Sequence, residues 1–453
     1  MGYMDEEFVW KCEPEAERLI LAILEETRKS TDVLHLEKQL EEVTSTRLMD
    51  WVDHVQVPTT KLTRDKVLKV GFKQVQATPS YTVFCHPGAQ LPQIVLYQIP
   101  EGKISVSVSV EKIDHYLMVR GIDRKIEGTV FSGYRRCLIS EESNILFYVV
   151  ERAGLDTMEP AIEEVSYPAL YFRAKEKWLT RGRSIANENL AWFDTLEITQ
   201  QIIESIGKNR AAALILDCER QYWQSRNSAA QIQKNRQDRL GMGWANHDHH
   251  TFRSSRKNFF LLVRLFEMLG FHCRERYYAG EEAGWGAQVM ENSVARLVLF
   301  LDVDLDSHEI ALDFAHEPLE ELPQLGTVGL WCALHGDSIL SAGMHHLEAQ
   351  FLFDKLSQDL EGKGISMMNP FSQFTYLKQA FTEGERWEVD PKRIDKLLRE
   401  GKMTPEQAEK FKTKGAIGSH LENLQRREGY KGFNQKNVSS IIKKTDPRLF
   451  DNE

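Results

Sequence analysis

The feature that most constrains the fold is a repeated order of secondary structure. Residues 52–58, VDHVQVP, alternate in the manner of a strand. TRDKVLKVGF follows, a short helix closed by Gly71 and Phe72, and then come three strand-like runs at 80–86, 92–99 and 104–110. The second half begins the same way. HDHHTFR (247–253) reads as a strand, and KNFFLLVRLFEMLG (257–270) as an amphipathic helix ending at Gly270, a residue suited to a left-handed cap. FHCRERYYA, WGAQVME and ARLVLFLDVDL then read as three strands. The order β-α-β-β-β thus occurs twice, with LKVGF in one half parallel to FEMLGF in the other. The cycle starts again with a strand at 343–350 and a helix in FLFDKLSQDLEGKGI, and closes with a strand at 416–427 and a helix at 437–445. The predicted class is α+β, built from repeated βαβββ modules.

At 453 residues the chain is longer than one average domain. The pattern divides it into N-terminal helices (1–50), an N-terminal modular half (51–190), a helical connector (191–240) and a C-terminal modular half (241–453). A charged helical insertion occupies 387–414, where Thr404-Pro405-Glu406-Gln407 has capping-box spacing with proline at the first helical position. The basic residues at 208–239 are mixed with acids and are expected on a solvated face.

Composition narrows the function classes. A net charge of -10 argues against a general nucleic-acid binder. No apolar run approaches the ~18 residues of a membrane span, and the acidic start MGYMDEEF has no signal-peptide core. The six cysteines are scattered without a CxxC pair, which predicts a reducing, cytoplasmic setting and neither a disulfide framework nor a zinc finger. No GxGxxG or P-loop indicates a nucleotide.

Histidine carries the chemical signal. Two adjacent pairs, His249-His250 and His345-His346, fall in corresponding strands of repeated units, with His247 close by. Strands send alternate side chains to opposite faces, so one member of each pair can reach a shared interior; register decides which. Glu422, in HLENLQRR, is the candidate carboxylate. Two imidazoles and one carboxylate leave the rest of a metal's coordination sphere open, an arrangement suited to Fe(II) oxygenases and also compatible with Mn, Zn or Ni. Taken singly, a histidine pair on a strand is more often a satisfied core or surface feature. Asp53-His54 marks a possible second site, but no partner ligands are evident, and the first half is expected to be metal-free. His335 is expected in a core or capping role, and Asp302, Asp304 and Asp306 at an exposed strand end.

These residues resemble the vicinal oxygen chelate superfamily, in particular enzymes of the 4-hydroxyphenylpyruvate dioxygenase type. The likeness rests on Asp248-His249, on Gly343-Met344-His345-His346, and on Leu421-Glu422-Asn423-Leu424-Gln425-Arg426 followed by Gly432-Phe433-Asn434 and Asn437. The resemblance implies curved, barrel-like sheets, with His249, His346 and Glu422 as metal ligands. It also implies Phe433 as a substrate-packing or gating residue, with the helix from Asn437 over the site. The chain departs from that pattern in its extra N-terminal helices, in the insertion before Glu422, and in Asn434 and Lys436 where the family favours glycine.

The run Asp248-His249-His250-Thr251-Phe252-Arg253 is also similar to the first metal strand of the 2-oxoadipate dioxygenase/decarboxylase family, which implies that Arg253 orients a substrate carboxylate. Four residues along a strand keep Arg253 on the face of His249, and arginine suits bidentate carboxylate recognition; a surface charge is the alternative. The implied activity is Fe(II)-dependent oxidative decarboxylation of a 2-oxo acid with dioxygen, in a protein that the family likeness would make a homodimer. The rivals are an oxygen-independent isomerase or lyase on the same scaffold and a non-catalytic small-molecule binding protein.

Overall fold

Four strand–helix–strand units, rather than two and a fragment, organise the computed structural model, which describes residues 10–98, 102–162, 166–183, 187–434 and 446–448. The first unit comprises β1 (Val52–Pro58), the helix Arg64–Lys69, β2 (Lys73–Ala77), β3 (Tyr81–Cys85) and β4 (Gln93–Tyr97). The second comprises β5 (Ile104–Ser109), the helix Ile113–Arg120, β6 (Ile126–Glu127), β7 (Tyr134–Glu142) and β8 (Ile145–Arg152). The third comprises β9 (His247–Arg253), the helix Phe259–Met268, β10 (His272–Tyr278), β11 (Trp285–Asn292) and β12 (Leu297–Asp304). The fourth comprises β13 (His346–Gln350), the helix Phe353–Glu361, β14 (Ser372–Phe374), β15 (Leu377–Phe381), β16 (Glu385–Trp387) and β17 (Ala416–Arg426).

One boundary differs from the sequence expectation. The run at 104–110 does not complete the first unit; as β5 it opens the second. The strand that reading lacked is β2, whose five residues KQVQA are all exposed and whose only apolar members, Val75 and Ala77, are too few to mark a half-buried strand.

The units pair into two mixed sheets. The orders are β2-β3-β4-β1-β5-β8-β7-β6 and β10-β11-β12-β9-β13-β17-β15-β14, with β16 on β17. At the centre of each sheet the opening strands of two units run antiparallel, β1 against β5 and β9 against β13. On one face of the second sheet, Phe252, Leu299, Leu301, Leu347 and Leu421 pack with Leu262, Val263 and Phe266 of the helix Phe259–Met268 in the largest core. The opposite face carries the polar residues described below.

Helices surround these sheets. Pro14–Thr27 and Thr31–Gln39 precede the first sheet. The connecting helical region starts earlier than expected, with Tyr167–Leu179, and continues through Glu188–Ile206, Lys208–Gln224 and Ser228–Asp238. Its basic residues are not uniformly solvated. Arg220 is buried against Glu111 and Asp217, at 3.1 and 3.0 Å, and Arg236 against Asp359 and Ser45. The connector touches both halves of the chain, so part of its charged face meets protein acids in place of water.

The insertion forms Pro391–Arg399 and Pro405–Lys414, and Thr404 and Gln407 make the expected reciprocal cap. The closing helix expected at 437–445 lies outside the described residues. Among the described residues no helix is long and apolar enough to cross a membrane.

Packing behind β17 leaves no room at Gly418. A Cβ there would lie 2.0 Å from a ring carbon of Trp387, while the Gly418 carbonyl accepts from Trp331 Nε1 at 2.9 Å. Gly418→Ala is therefore expected to destabilise the fold by about 1–3 kcal/mol through overpacking. Urea unfolding checks this: a lowered midpoint with an unchanged slope is expected.

Candidate metal centre

Register builds the centre. Glu348 of β13 lies opposite His249 of β9 on one side and opposite Glu422 of β17 on the other. One row across the sheet therefore runs His249–Glu348–Glu422. The adjacent row runs Thr251–His346–His420. Since alternate residues of a strand share a face, His249, Thr251 and Arg253 point into one cavity together with His346, Glu348 and Glu422. His250 takes the other face, where its ring packs on His247 with centroids 5.0 Å apart.

The donor atoms converge. His346 Nε2 is 2.9 Å from Glu422 Oε2, and His249 Nε2 is 2.6 Å from Glu348 Oε2. One donor atom from each of His249, His346 and Glu422 lies within 4.8 Å of the others, and Asp248, His249 and Glu348 form a second such group sharing His249. All of these side chains are buried. Glu348 is the residue that sequence reasoning missed. Its position two residues after His346 on the same strand was the available signal.

Surrounding contacts hold these donors. Asp248 Oδ1 faces His249 Nδ1 at 3.2 Å, and Arg426 donates to both oxygens of Asp248, each at 3.2 Å. A hydrogen bond of 2.7 Å joins the Nδ1 atoms of His345 and His346, leaving His346 Nε2 toward Glu422. Gln379 Nε2 donates to Glu422 Oε1 at 3.2 Å. Such partners orient ligands for a metal.

The electrostatics favour a cation. Burial, then the charge of neighbouring Glu348, pushes the Glu422 carboxyl well above its ordinary range. Burial opposes protonation of His249, but Glu348 and Asp248 outweigh it and raise the imidazole to about 9. Burial, then His249 and His420, holds His346 well below its ordinary value, so it stays neutral. Two carboxylates facing each other in a dry site hold either a shared proton or a cation between them. The donor set therefore fits a divalent ion.

The cavity is small, about 70 Å³, and its walls include Tyr277, Trp285, Phe300, Phe371, Phe381 and Phe433. Phe433 stands edge-on to His249 with ring centroids 4.9 Å apart, and to Phe300 at 5.2 Å. Arg253 is not a surface charge. It is buried, with Nε donating to Asp302 Oδ2 at 3.1 Å, and it lies opposite Asp302 in the β9–β12 register.

The aspartates of β12 correct an expectation of strand-end exposure. Asp302 lines the cavity, and burial, countered in part by Arg253, raises its carboxyl to about 6. Asp304 accepts from the backbone N–H of Val328 and Gly329, at 3.0 and 2.9 Å, at the start of the helix Thr327–His335. Asp306 caps the short turn Ser307–Ala311. The local alternation LDVDLD is the same for an edge and for a buried strand, so only the partners distinguish them. His335, buried at the end of its helix, bonds the Ile417 carbonyl at 3.2 Å.

The first sheet preserves the scaffold without the donors. His54 Nδ1 faces Asp53 at 2.6 Å, and Arg152 grips Asp53 as Arg426 grips Asp248. However, His54 lies opposite Ser107, Gln56 opposite Ser105, and Ser107 opposite Tyr148. Serines and a tyrosine thus occupy the places that His346, Glu348 and Glu422 hold in the second sheet. Arg296 also reaches Asp53, at 2.7 Å, and links the two sheets.

Paired βαβββ units joined through their opening strands define the fold class: α+β, with two mixed sheets built from repeated βαβββ modules. Neither a protein-family profile nor a curated protein sequence matches the chain. Among solved structures it is similar to a variant of 4-hydroxymandelate synthase from Streptomyces coelicolor, 11% identical over 88% of this chain and 98% of that one, with a TM-score of 0.30. Methylmalonyl-CoA epimerase from Mycobacterium tuberculosis is 11% identical over 40% and 87% of the respective chains, with a TM-score of 0.23. An uncharacterized protein from Shigella flexneri that includes domain DUF1338 is 12% identical over 64% and 85%, with a TM-score of 0.23. These likenesses assign no activity.

Proposed function

We propose that this chain is an Fe(II)-dependent dioxygenase that acts on a small 2-oxo acid, with His249, His346 and Glu422 as the metal ligands. The observation that carries the reading is the convergence of two imidazole nitrogens and one carboxylate on one side of a small buried cavity. A bound ferrous ion supplies Lewis acidity and a site for dioxygen, the requirements of oxidative decarboxylation.

The protein's own residues do the rest. Asp248, held by Arg426, and His345 fix the two imidazoles so that each presents Nε2, and Gln379 fixes Glu422. Arg253 orients the substrate from four residues along β9. Phe433 and Phe300 close the apolar wall beside His249 and exclude water, which protects reactive species from side reactions.

Glu348 favours a second reading on the same scaffold. With Glu348 bound as well, the site offers four protein donors; with Glu348 free, it offers a base 2.6 Å from His249. Either suits an oxygen-independent isomerase or lyase using Zn, Mn or Ni. Metal analysis of anaerobically purified protein, followed by oxygen uptake over a panel of 2-oxo acids, decides between them. One iron per chain, with uptake on at least one acid and loss of both in Glu422→Ala, is expected. Zinc, manganese or nickel with turnover but no uptake would establish the isomerase or lyase. A chain that retains no metal would overturn both.

A further inference from the structure

We infer that the part of the cavity at Arg253 and Asp302 selects a neutral distal group that both donates and accepts hydrogen bonds, a carboxamide or a hydroxyl, in preference to a second carboxylate. The inference rests on the proposed 2-oxo acid reading and names the substrate class for that site.

The argument begins with what Arg253 and Asp302 have left to offer. Their ion pair uses Arg253 Nε and Asp302 Oδ2, and both side chains are more than nine-tenths buried. Arg253 cannot easily swing away. Its backbone N–H donates to Ser338 Oγ at 2.7 Å, and its guanidinium lies over the Trp331 ring at 5.6 Å. The His345 ring packs on the same tryptophan at 5.4 Å. Six polar atoms on residues that line the cavity are buried without a hydrogen-bond partner: Arg253 Nη1, Asp302 Oδ1, Thr251 Oγ1, His345 Nε2, Trp285 Nε1 and Glu348 Oε1. Buried polar atoms are rarely left unpaired, and such a cluster marks a place where a ligand completes the bonding.

Charge then selects the ligand. Glu348 and Glu422 would balance a divalent ion held by His249, and Asp302 balances Arg253. Among the described residues of the cavity wall no further cation would then be left to neutralise a second carboxylate, and burying an unpaired charge is costly. A carboxylate at this end would also face Asp302 Oδ1, which only accepts. A carboxamide or hydroxyl matches both partners, donating a hydrogen bond to Asp302 Oδ1 and accepting one from Arg253 Nη1. A methyl group satisfies neither. Sites built around polar groups discriminate strongly against analogues that leave those groups unpaired.

The test is anaerobic calorimetric titration of the metal-loaded chain with four acids of matched length: 2-oxoglutarate and its distal amide, distal alcohol and distal methyl counterparts. The amide or the alcohol is expected to bind about tenfold or more tightly than both the dicarboxylate and the methyl compound. Asp302→Asn, which keeps the volume of the side chain and frees the charge of Arg253, is expected to reverse the order toward the dicarboxylate. Arg253→Met is expected to abolish the advantage of the amide over the methyl compound. Dicarboxylate or methyl binding as tight as that of the amide and alcohol in the unmodified chain would overturn the inference alone. Failure of all four to bind a metal-loaded site would overturn the 2-oxo acid reading and this inference with it.

Discussion

His346→Ala is expected to abolish stoichiometric metal retention and all turnover. The imidazole supplies one of the three converging donors, with Nε2 2.9 Å from Glu422. Structural zinc sites of four ligands bind with an apparent ~10–16 kcal/mol, or about 3 kcal/mol per ligand, so loss of one donor is expected to cost on the order of a hundredfold in affinity. The loss is read as metal content after desalting, and as disappearance of the metal-dependent rise in melting temperature. His250→Gln serves as the comparison. That ring lies on the other face of β9, against His247, so its replacement is expected to leave metal content unchanged. Retention of metal by His346→Ala together with loss in His250→Gln would sink the assignment, because it would require the opposite register.

The second large effect concerns stability. Glu219 is wholly buried, and one of its oxygens accepts from Trp178 Nε1 at 2.8 Å, Arg181 Nη2 at 2.7 Å and Arg183 Nη2 at 2.6 Å. Arg181 also donates to the Ile339 carbonyl at 3.0 Å, in the turn leading to β13, so the cluster ties the connecting helices to a strand of the candidate centre. Burial opposes ionisation of Glu219, but the two guanidiniums outweigh it and hold the carboxyl below the ordinary glutamate value of 4.5. Glu219→Gln leaves the buried Arg181 and the partly exposed Arg183 without a counter-charge and is expected to cost about 3–5 kcal/mol at neutral pH.

The sign of the pH dependence follows from the depressed value. The stabilisation is fully present above the unfolded-state value near 4.5 and is lost as pH falls through the lower folded-state value. Urea midpoints of the two chains are therefore expected to differ most at pH 7 and to converge in acid. A gap that stays constant from pH 7 through the acid range would show that lost packing, and not lost charge, is responsible.

Much of the scaffold is legible along the chain because it is written in local periodicity. β1, β9 and the helix Phe259–Met268 show their alternation or amphipathic spacing within a dozen residues. The cap at Thr404 is visible because both partners lie within one turn. β2 is not legible, since an exposed strand bears no apolar signature. The burial of Arg220, Arg236, Asp302 and Asp304 is equally hidden, because their partners are distant in sequence: Glu111, Asp359, Arg253 and the N–H groups at 328–329.

The candidate centre divides along the same line. Residue types and strand membership of the histidine pairs and of Glu422 follow from local pattern, as does the shared face of His249 and Arg253. The choice of His249 over His250 is a matter of register, in which a slip of one residue turns every side chain to the other face. His345 and His346 both reach the cavity, but only His346 lies in the paired strand, opposite Thr251 and His420, and presents Nε2 to Glu422. Register also brings Glu348 between His249 and Glu422, sets Asp302 against Arg253, and puts serines and a tyrosine at the matching places of the first sheet. Period-two alternation is a property of one strand. Which residues meet across strands depends on pairings separated by up to 173 positions between His249 and Glu422, and only the folded sheet brings those residues together.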